Sequence, residues 1–370
     1  MTTTPKQPEL GVFLPIGKNG FIVSTTKPAA DGSFELNKQV AILAERIGLD
    51  FVLSMAKWRG FGGPSDHWGS AHESLVLMAA LAQVTERVKI WATVHALLIH
   101  PVVAAKMMAT LDHASNGRSG LNVVAGSYPD EFKQMGLWRP ELDHDQRYRL
   151  TREWLTAVKR LWREKRVDLK GDFFTLEDCV CEPKPLAQPR PELICAGSSE
   201  VGMRFAAEEA DSLFLNGRSD QDLRDSSHRA KAIAAESGKT LKTYAMFIVV
   251  PGATDREAEA RVQRYIDGVD QEAVGTMLAS YGVKPDGSRN GLVVRAREGF
   301  MSSRVAGGPA TLCQRIEETI RTGDLDGLML IFPDYLPDME MFGRDVLPQL
   351  RQRFAAPVPS GVSPSASAAQ

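Results

Sequence analysis

Read for period, the chain alternates short apolar runs with amphipathic stretches almost from end to end. Eight runs read as strands: Gly11–Leu14, Phe51–Leu53, Val88–Ala92, Leu121–Val124, Leu193–Ala196, Ser212–Leu215, Ala245–Val250 and Gly327–Phe332. Between them, helical spacing covers Glu35–Ile47, Ser74–Val84, Pro101–Ala114, Tyr148–Trp162, Glu200–Glu209, Asp220–Glu236, Asp255–Ile266, Ala310–Arg321 and Met339–Arg353. Strands covered by helices on both faces are near-continuously apolar, as these are. Eight of them interleaved with helices predict an α/β chain closed into a (β/α)8 TIM barrel rather than an open doubly wound sheet. Such a barrel takes about 250 residues, so the surplus falls in insertions. Three stretches fit: Met55–His72, the hairpin-like Lys170–Pro191, and Gly268–Gly307. Residues 1–354 then form a single domain, and the Pro, Ser and Ala-rich residues 355–370 a disordered tail.

Composition narrows the function. With 370 residues, 43% hydrophobic and 24% charged, the chain can bury a large core. A net charge of −2, with both signs interspersed, offers no basic face for a nucleic acid. No apolar run approaches the roughly 18 residues that span a membrane, and the N-terminus lacks a signal-peptide core, which predicts a cytoplasmic protein. Cys179, Cys181, Cys195 and Cys313 have no finger-like spacing, so they read as reduced thiols and no metal site is expected.

One polar residue breaks the pattern. Asn122 stands inside the run Leu121–Val124, where an unpaired amide costs very roughly 1–3 kcal/mol. Either neighbouring backbone satisfies it, or a ligand at the strand end does. In a barrel of this kind chemistry sits at the C-terminal ends of the strands. There the sequence places Leu53 to Gly60, Thr93 to His95, and Ala196-Gly-Ser198-Ser199-Glu200, the last a helix start suited either to an anion or to a simple serine cap. Arg147 offers a forked donor for phosphate or carboxylate. His95 and His100 are the histidines near a strand end. No dinucleotide-binding Gly-x-Gly-x-x-Gly, phosphate loop, nucleophile elbow or catalytic triad is present, so reactivity is expected to come from a cofactor.

Several motifs taken together carry a resemblance: Gly11-Val-Phe-Leu-Pro-Ile-Gly-Lys-Asn-Gly20, Phe34-Glu-Leu-Asn-Lys38, Leu53-Ser-Met-Ala-Lys57, Arg59-Gly-Phe-Gly-Gly63, Asn116-Gly-Arg118, Gln134-Met-Gly136, Lys170-Gly-Asp-Phe-Phe174, Ile194-Cys-Ala-Gly197 and Phe342-Gly-Arg-Asp-Val-Leu347. They resemble the bacterial luciferase-like flavin monooxygenases, and within them the pyrimidine monooxygenases of uracil catabolism, with riboflavin lyases and dimethyl sulfone monooxygenases as related members. The resemblance implies a two-component enzyme using O2 and reduced FMN (FMNH2) from a separate NADH-dependent flavin reductase. Carried over by position, Ala56, Lys57, Asn122, Glu131, Arg147, Tyr148 and Ser199 contact FMN, with Ser198 beside them at the phosphate. Leu53, Thr93 and Asn122 correspond to the pocket that holds O2 against flavin N5 and favours a flavin-N5-peroxide able to open a uracil-like nitrogen heterocycle such as a pyrimidine or riboflavin. It also implies a homo-oligomer.

This chain departs from the pattern on the expected substrate side, at His95, Ser127 and Tyr128. C–S cleavage of a small sulfone or sulfonate is the alternative reaction, and a non-catalytic flavin-binding protein the alternative class.

Overall fold

The computed structural model describes residues 7–28, 30–126, 128–197, 199–217, 219–283 and 291–355. Its centre is a closed parallel barrel. The strands are β1 (Glu9–Phe13), β2 (Phe51–Leu53), β3 (Lys89–His95) and β4 (Ser119–Val124), then an outlying antiparallel pair β5 (Val167–Lys170) and β6 (Thr175–Cys179). They are followed by β7 (Glu192–Ala196), β8 (Ser212–Leu215), β9 (Lys242–Pro251), β10 (Ser303–Gly307) and β11 (Gly327–Ile331). Pairing runs β1-β2-β3-β4-β7-β8-β9-β11 and closes back on β1, where Glu9 stands opposite Gly327. All eight expected strands are therefore barrel strands.

Side chains alternate across a strand, so every second residue points into the barrel. The inward residues stack in layers drawn from alternate strands. At the floor Glu9, Lys89, Glu192 and Lys242 meet, with Lys89 Nζ 3.2 Å from both carboxylates and Lys242 Nζ 3.0 Å from Glu9. The Tyr244 hydroxyl donates to Glu9 at 2.6 Å. Above this charged floor, Phe51, Leu53, Trp91, Ile194, Phe214, Tyr244 and Met329 fill the middle as one apolar cluster. Phe51 and Trp91 stack at 4.1 Å, and two glycines make room for them. A Cβ on Gly11 would stand 2.2 Å from the Phe51 ring, and one on Gly120 would stand 2.4 Å from Trp91. Gly11→Ala is thus expected to destabilise the fold by about 2–3 kcal/mol without altering the strand ends, read as a lower urea midpoint; an unchanged midpoint would show that the Phe51 ring can move aside.

The helices form the outer ring, and local chemistry sets their ends. Asp143 and Gln146 make a reciprocal capping box at the start of His144–Arg163. Pro101–Ala114 stops at Asn116 and Gly117, both at positive φ, as the Ser-Asn-Gly sequence predicts. Three expectations are corrected. The run Met339–Arg353 is not one helix: Tyr335–Met341 and Leu347–Ala355 flank a π turn at Phe342–Val346, where Gly343 lies so close to Ile47 that a Cβ would meet it at 2.6 Å. Ala355 accordingly ends a helix rather than beginning a tail, and residues 356–370 lie outside the described ones. The hairpin begins at Val167, three residues before the expected Lys170. The stretch 268–307 carries the helices Gln271–Ser280 and Gly291–Arg297 and the strand β10, which extends the sheet along the upper half of β9. Among the described residues no helix is long and apolar enough to cross a membrane, no group of acidic, His and Cys side chains could hold a metal ion, and all four cysteines are unpaired.

Candidate functional site

Alternation places Asn122 and Leu53 in one layer, immediately above the Trp91 and Tyr244 level, and Thr93 one layer higher. Strand register sets Thr93 directly opposite Asn122. Four hydrogen bonds then fix the polar groups. The Asn122 amide NH2 donates to Thr93 Oγ1 at 2.9 Å, and the Thr93 hydroxyl donates to the Ser54 carbonyl at 2.6 Å. The Thr93 backbone N–H donates to Ser74 Oγ at 2.8 Å, which in turn is 2.5 Å from Ser54 Oγ. Since a carbonyl can only accept, the direction of this chain is set from Ser54 backward, and Asn122 keeps its oxygen as the free end. That Oδ1 is buried without a protein partner. Neighbouring backbone therefore does not satisfy Asn122: its donor goes to the Thr93 side chain and its acceptor stays unpaired. The single Thr93 proton is spent on Ser54, so its free capacity is as an acceptor.

Above this layer, His95 is buried, with Nε2 3.3 Å from the Ala56 carbonyl and Nδ1 unpartnered. Burial pushes its imidazole below the usual histidine range, against the opposing pull of Glu131. The next loop supplies Lys57, whose side chain is 7% exposed and whose Nζ lies 3.4 Å from Glu131. Three rings surround that ammonium, with centroids at 4.4 Å for Tyr128, 4.7 Å for Phe61 and 5.6 Å for Trp68. Burial lowers its pKa to about 8, with Glu131 opposing. Glu131 also accepts the Trp58 N–H at 2.5 Å, so it ties the Pro129–Lys133 helix to the loop after β2.

The second cluster lies across β7. Ser199 caps Glu200–Glu209 by accepting the Gly202 N–H at 3.1 Å. The Tyr148 hydroxyl lies beside Ser199 over Gly202, and burial raises its phenol pKa against the pull of that serine. A Cβ on Gly202 would stand 2.5 Å from the Tyr148 hydroxyl, and one on Gly197 3.1 Å from it. These glycines hold open a shallow cradle of hydroxyls and backbone at a helix N-terminus, a suitable seat for a phosphate. Arg147 flanks it, donating to the Gly126 and Leu142 carbonyls at 3.2 and 3.0 Å. Expected residues thus fall into two clusters, one above β2 to β4 (Leu53, Ala56, Lys57, Thr93, His95, Asn122, Tyr128, Glu131) and one across β7 (Arg147, Tyr148, Ser199). Ser127 and Ser198 lie outside the described residues. His100 does not join either cluster: it caps Pro101–Ala114 and packs edge-on against Phe174.

Sequence reasoning missed the supports Ser54 and Ser74 and the aromatic residues Phe61, His67 and Trp68. The density of Trp, His and Phe in the Gly-rich loop after β2 was the available signal. His67 is fully buried, stacks on Phe61 and Trp68, and sits 3.4 Å from Met301 Sδ. Burial drives its pKa to about 3, with the nearby Lys27 charge adding to the fall. It is therefore neutral near pH 7 and locks the β2 loop to the 268–307 segment.

An unpaired acceptor in one cluster and a glycine-cleared hydroxyl cradle in the other fit FMN. Comparison with known proteins agrees. Residues 9–324 match the family described as luciferase-like monooxygenase. A pyrimidine monooxygenase, RutA, of Rhizobium rhizogenes is 36% identical over 354 residues, covering 93% of this chain and 97% of the relative. Its counterpart in Caulobacter vibrioides is 37% identical over 353 residues, covering 93% and 99%. In fold, the chain is similar to a riboflavin lyase solved with modified FMN and riboflavin (TM-score 0.84, 24% identity, 95% of this chain and 93% of that one). It is also similar to a long-chain alkane monooxygenase (TM-score 0.85, 21% identity, 97% and 93%).

Proposed function

The chain belongs to the luciferase-like monooxygenase family, and from that premise we propose that it oxygenates a uracil-like nitrogen heterocycle, using O2 and FMNH2 delivered by a separate NADH-dependent flavin reductase. The observation that carries this reading is the hydrogen-bond chain from Asn122 through Thr93 to Ser54, which leaves Asn122 Oδ1 bare beside apolar Leu53. The named relatives, pyrimidine monooxygenases more than one third identical over nearly their whole length, supply the substrate class.

Bound FMNH2 would supply the two electrons that activate O2. The residues do the rest. Tyr148, Ser199 and Arg147 would hold its phosphate. Leu53, 1% exposed, excludes water at the site of oxygen activation. Asn122 and Thr93, locked to Ser54, present acceptor oxygens there, so they would orient an N–H or O–H donor of the bound reactants. Lys57 closes the mouth with its aromatic surround and can carry a proton at Nζ near neutral pH. A homo-oligomer in the cytoplasm is part of the same reading.

The test supplies flavin reductase, NADH, FMN and labelled O2 to the protein with uracil, thymine, barbiturate or riboflavin, and follows label into a ring-opened or cleaved product by mass spectrometry. Labelled product is expected from at least one. No label in any, together with sulfite release from a sulfone, would replace this reading with C–S cleavage. Tight oxidised FMN with no turnover of any kind would make the protein a flavin carrier. The phosphate end has its own check: Gly202→Ala should raise the Kd for FMN about tenfold by crowding the Tyr148 hydroxyl, and an unchanged Kd would move the phosphate elsewhere.

A further inference from the structure

Two buried acceptors without partners stand in neighbouring register near the barrel mouth, Asn122 Oδ1 on β4 and His95 Nδ1 on β3. Residues 93 and 95 are two apart on β3, so His95 shares the inward face of Thr93. Both keep a small open fraction, 8% for His95 and 6% for Asn122, whereas Leu53 beneath keeps 1%. Nδ1 and Oδ1 themselves are closed to solvent, so the open fraction belongs to other atoms of the two residues.

The state of the His95 ring follows from its contacts. Nε2 is 3.3 Å from the Ala56 carbonyl, which can only accept, so Nε2 carries the proton. Neutral imidazole has one ring proton, and Nδ1 is then a bare lone pair. The ring cannot turn away without losing Ala56 and its edge-on packing against Phe132 at 5.2 Å. Of the nearby charged groups, Glu131 would favour a second ring proton, but it is engaged by Lys57 and the Trp58 N–H. A buried acceptor left unpaired carries a cost that a ligand donor removes.

We propose that His95 selects the substrate by accepting a hydrogen bond through Nδ1, so that the ring to be oxygenated must carry an N–H donor. This rests on the reading of the mouth as a heterocycle site, and it specifies the class: lactams and imides with a free N–H, not their fully N-alkylated forms. Asn122 supplies the reaction geometry below, while His95 reads the substrate above it.

The test is a cycle of protein change against ligand change. Equilibrium binding of uracil and of 1,3-dimethyluracil, which has the same ring and no N–H, is measured on the FMN-loaded protein for wild type, His95→Phe and His95→Asn. The phenylalanine keeps the packing and removes the acceptor, and the asparagine oxygen stands near the Nδ1 position. Uracil should weaken about tenfold in His95→Phe, dimethyluracil should change by less than about twofold, and His95→Asn should recover most of the uracil affinity. Turnover should follow in KM with kcat little moved. Equal loss for both ligands in His95→Phe, or binding of neither by wild type, overturns the assignment. N–H-dependent binding without labelled product would leave His95 standing and remove the proposed reaction. Labelled product with no N–H dependence does the reverse.

Discussion

Replacing Asn122 with alanine is expected to cut oxygenated product per turnover by about a hundredfold, through lost positioning, while O2 consumption continues. The amide does two jobs from one position. Its NH2 pins Thr93 at 2.9 Å, and its buried oxygen is left without a protein partner for the proposed flavin site. Losing it frees the Thr93 side chain from one side and removes the fixed acceptor, but Tyr148 and Ser199, in the other cluster, are untouched. Reduced flavin should therefore still bind and react with oxygen, with its electrons lost to hydrogen peroxide. The measurement is product formed per O2 consumed, alongside the FMN Kd from fluorescence quenching. Thr93→Ala should uncouple in the same direction more weakly. Unchanged product per O2 in Asn122→Ala would take Asn122 out of the reaction.

The second large effect is on stability and comes from the opposite end of the barrel. Glu9 accepts from Tyr244 and faces both Lys89 and Lys242. Glu9→Ala removes the carboxylate that both ammonium groups and a buried phenol share, leaving Glu192 and the Asp326 charge, and should cost about 3 kcal/mol in chemical denaturation. The pH dependence gives a separate check. Burial alone would raise the Glu9 pKa, but the Tyr244 hydrogen bond and the two lysines outweigh it and hold it near 2. A carboxylate depressed in the folded state contributes stability that is fully present above its unfolded pKa of about 4.3. That contribution is lost as pH falls from there towards 2. The gap between wild type and Glu9→Gln should accordingly be constant above about pH 5 and shrink through this window. A gap that is independent of pH would mean that the lysines, not the ionised Glu9, hold the floor.

The strands were legible because burial on both faces leaves an unbroken apolar signature, and Phe51–Leu53 and Ser212–Leu215 match to the residue. β10 was not, because Ser303–Gly307 includes Arg304 and covers only the upper half of one neighbour, so it never needs to be apolar. The π turn at Phe342–Val346 inserts a residue into the helical period and is invisible to a 3.6-residue pattern. The charged floor was illegible for another reason. Glu9, Lys89, Glu192 and Lys242 each look like a solvated residue at the start of a strand, and only barrel closure brings them together. At the site, Asn122 announced itself as a polar residue in an apolar run and Ser199 as a helix start suited to an anion or a cap, while Tyr148 came from resemblance. What sequence could not supply was direction: that Thr93 spends its proton on Ser54, and that Asn122 in consequence offers oxygen rather than nitrogen.

Barrel closure between β1 and β11 also bears on where the chain can be cut. The family match ends at residue 324, three residues before β11 begins. A chain stopped there would leave β1 and β9 with unpaired backbone along facing edges, an invitation to strand exchange between molecules. The last strand and the helices after it are thus the clasp that keeps this protein from polymerising through its own sheet.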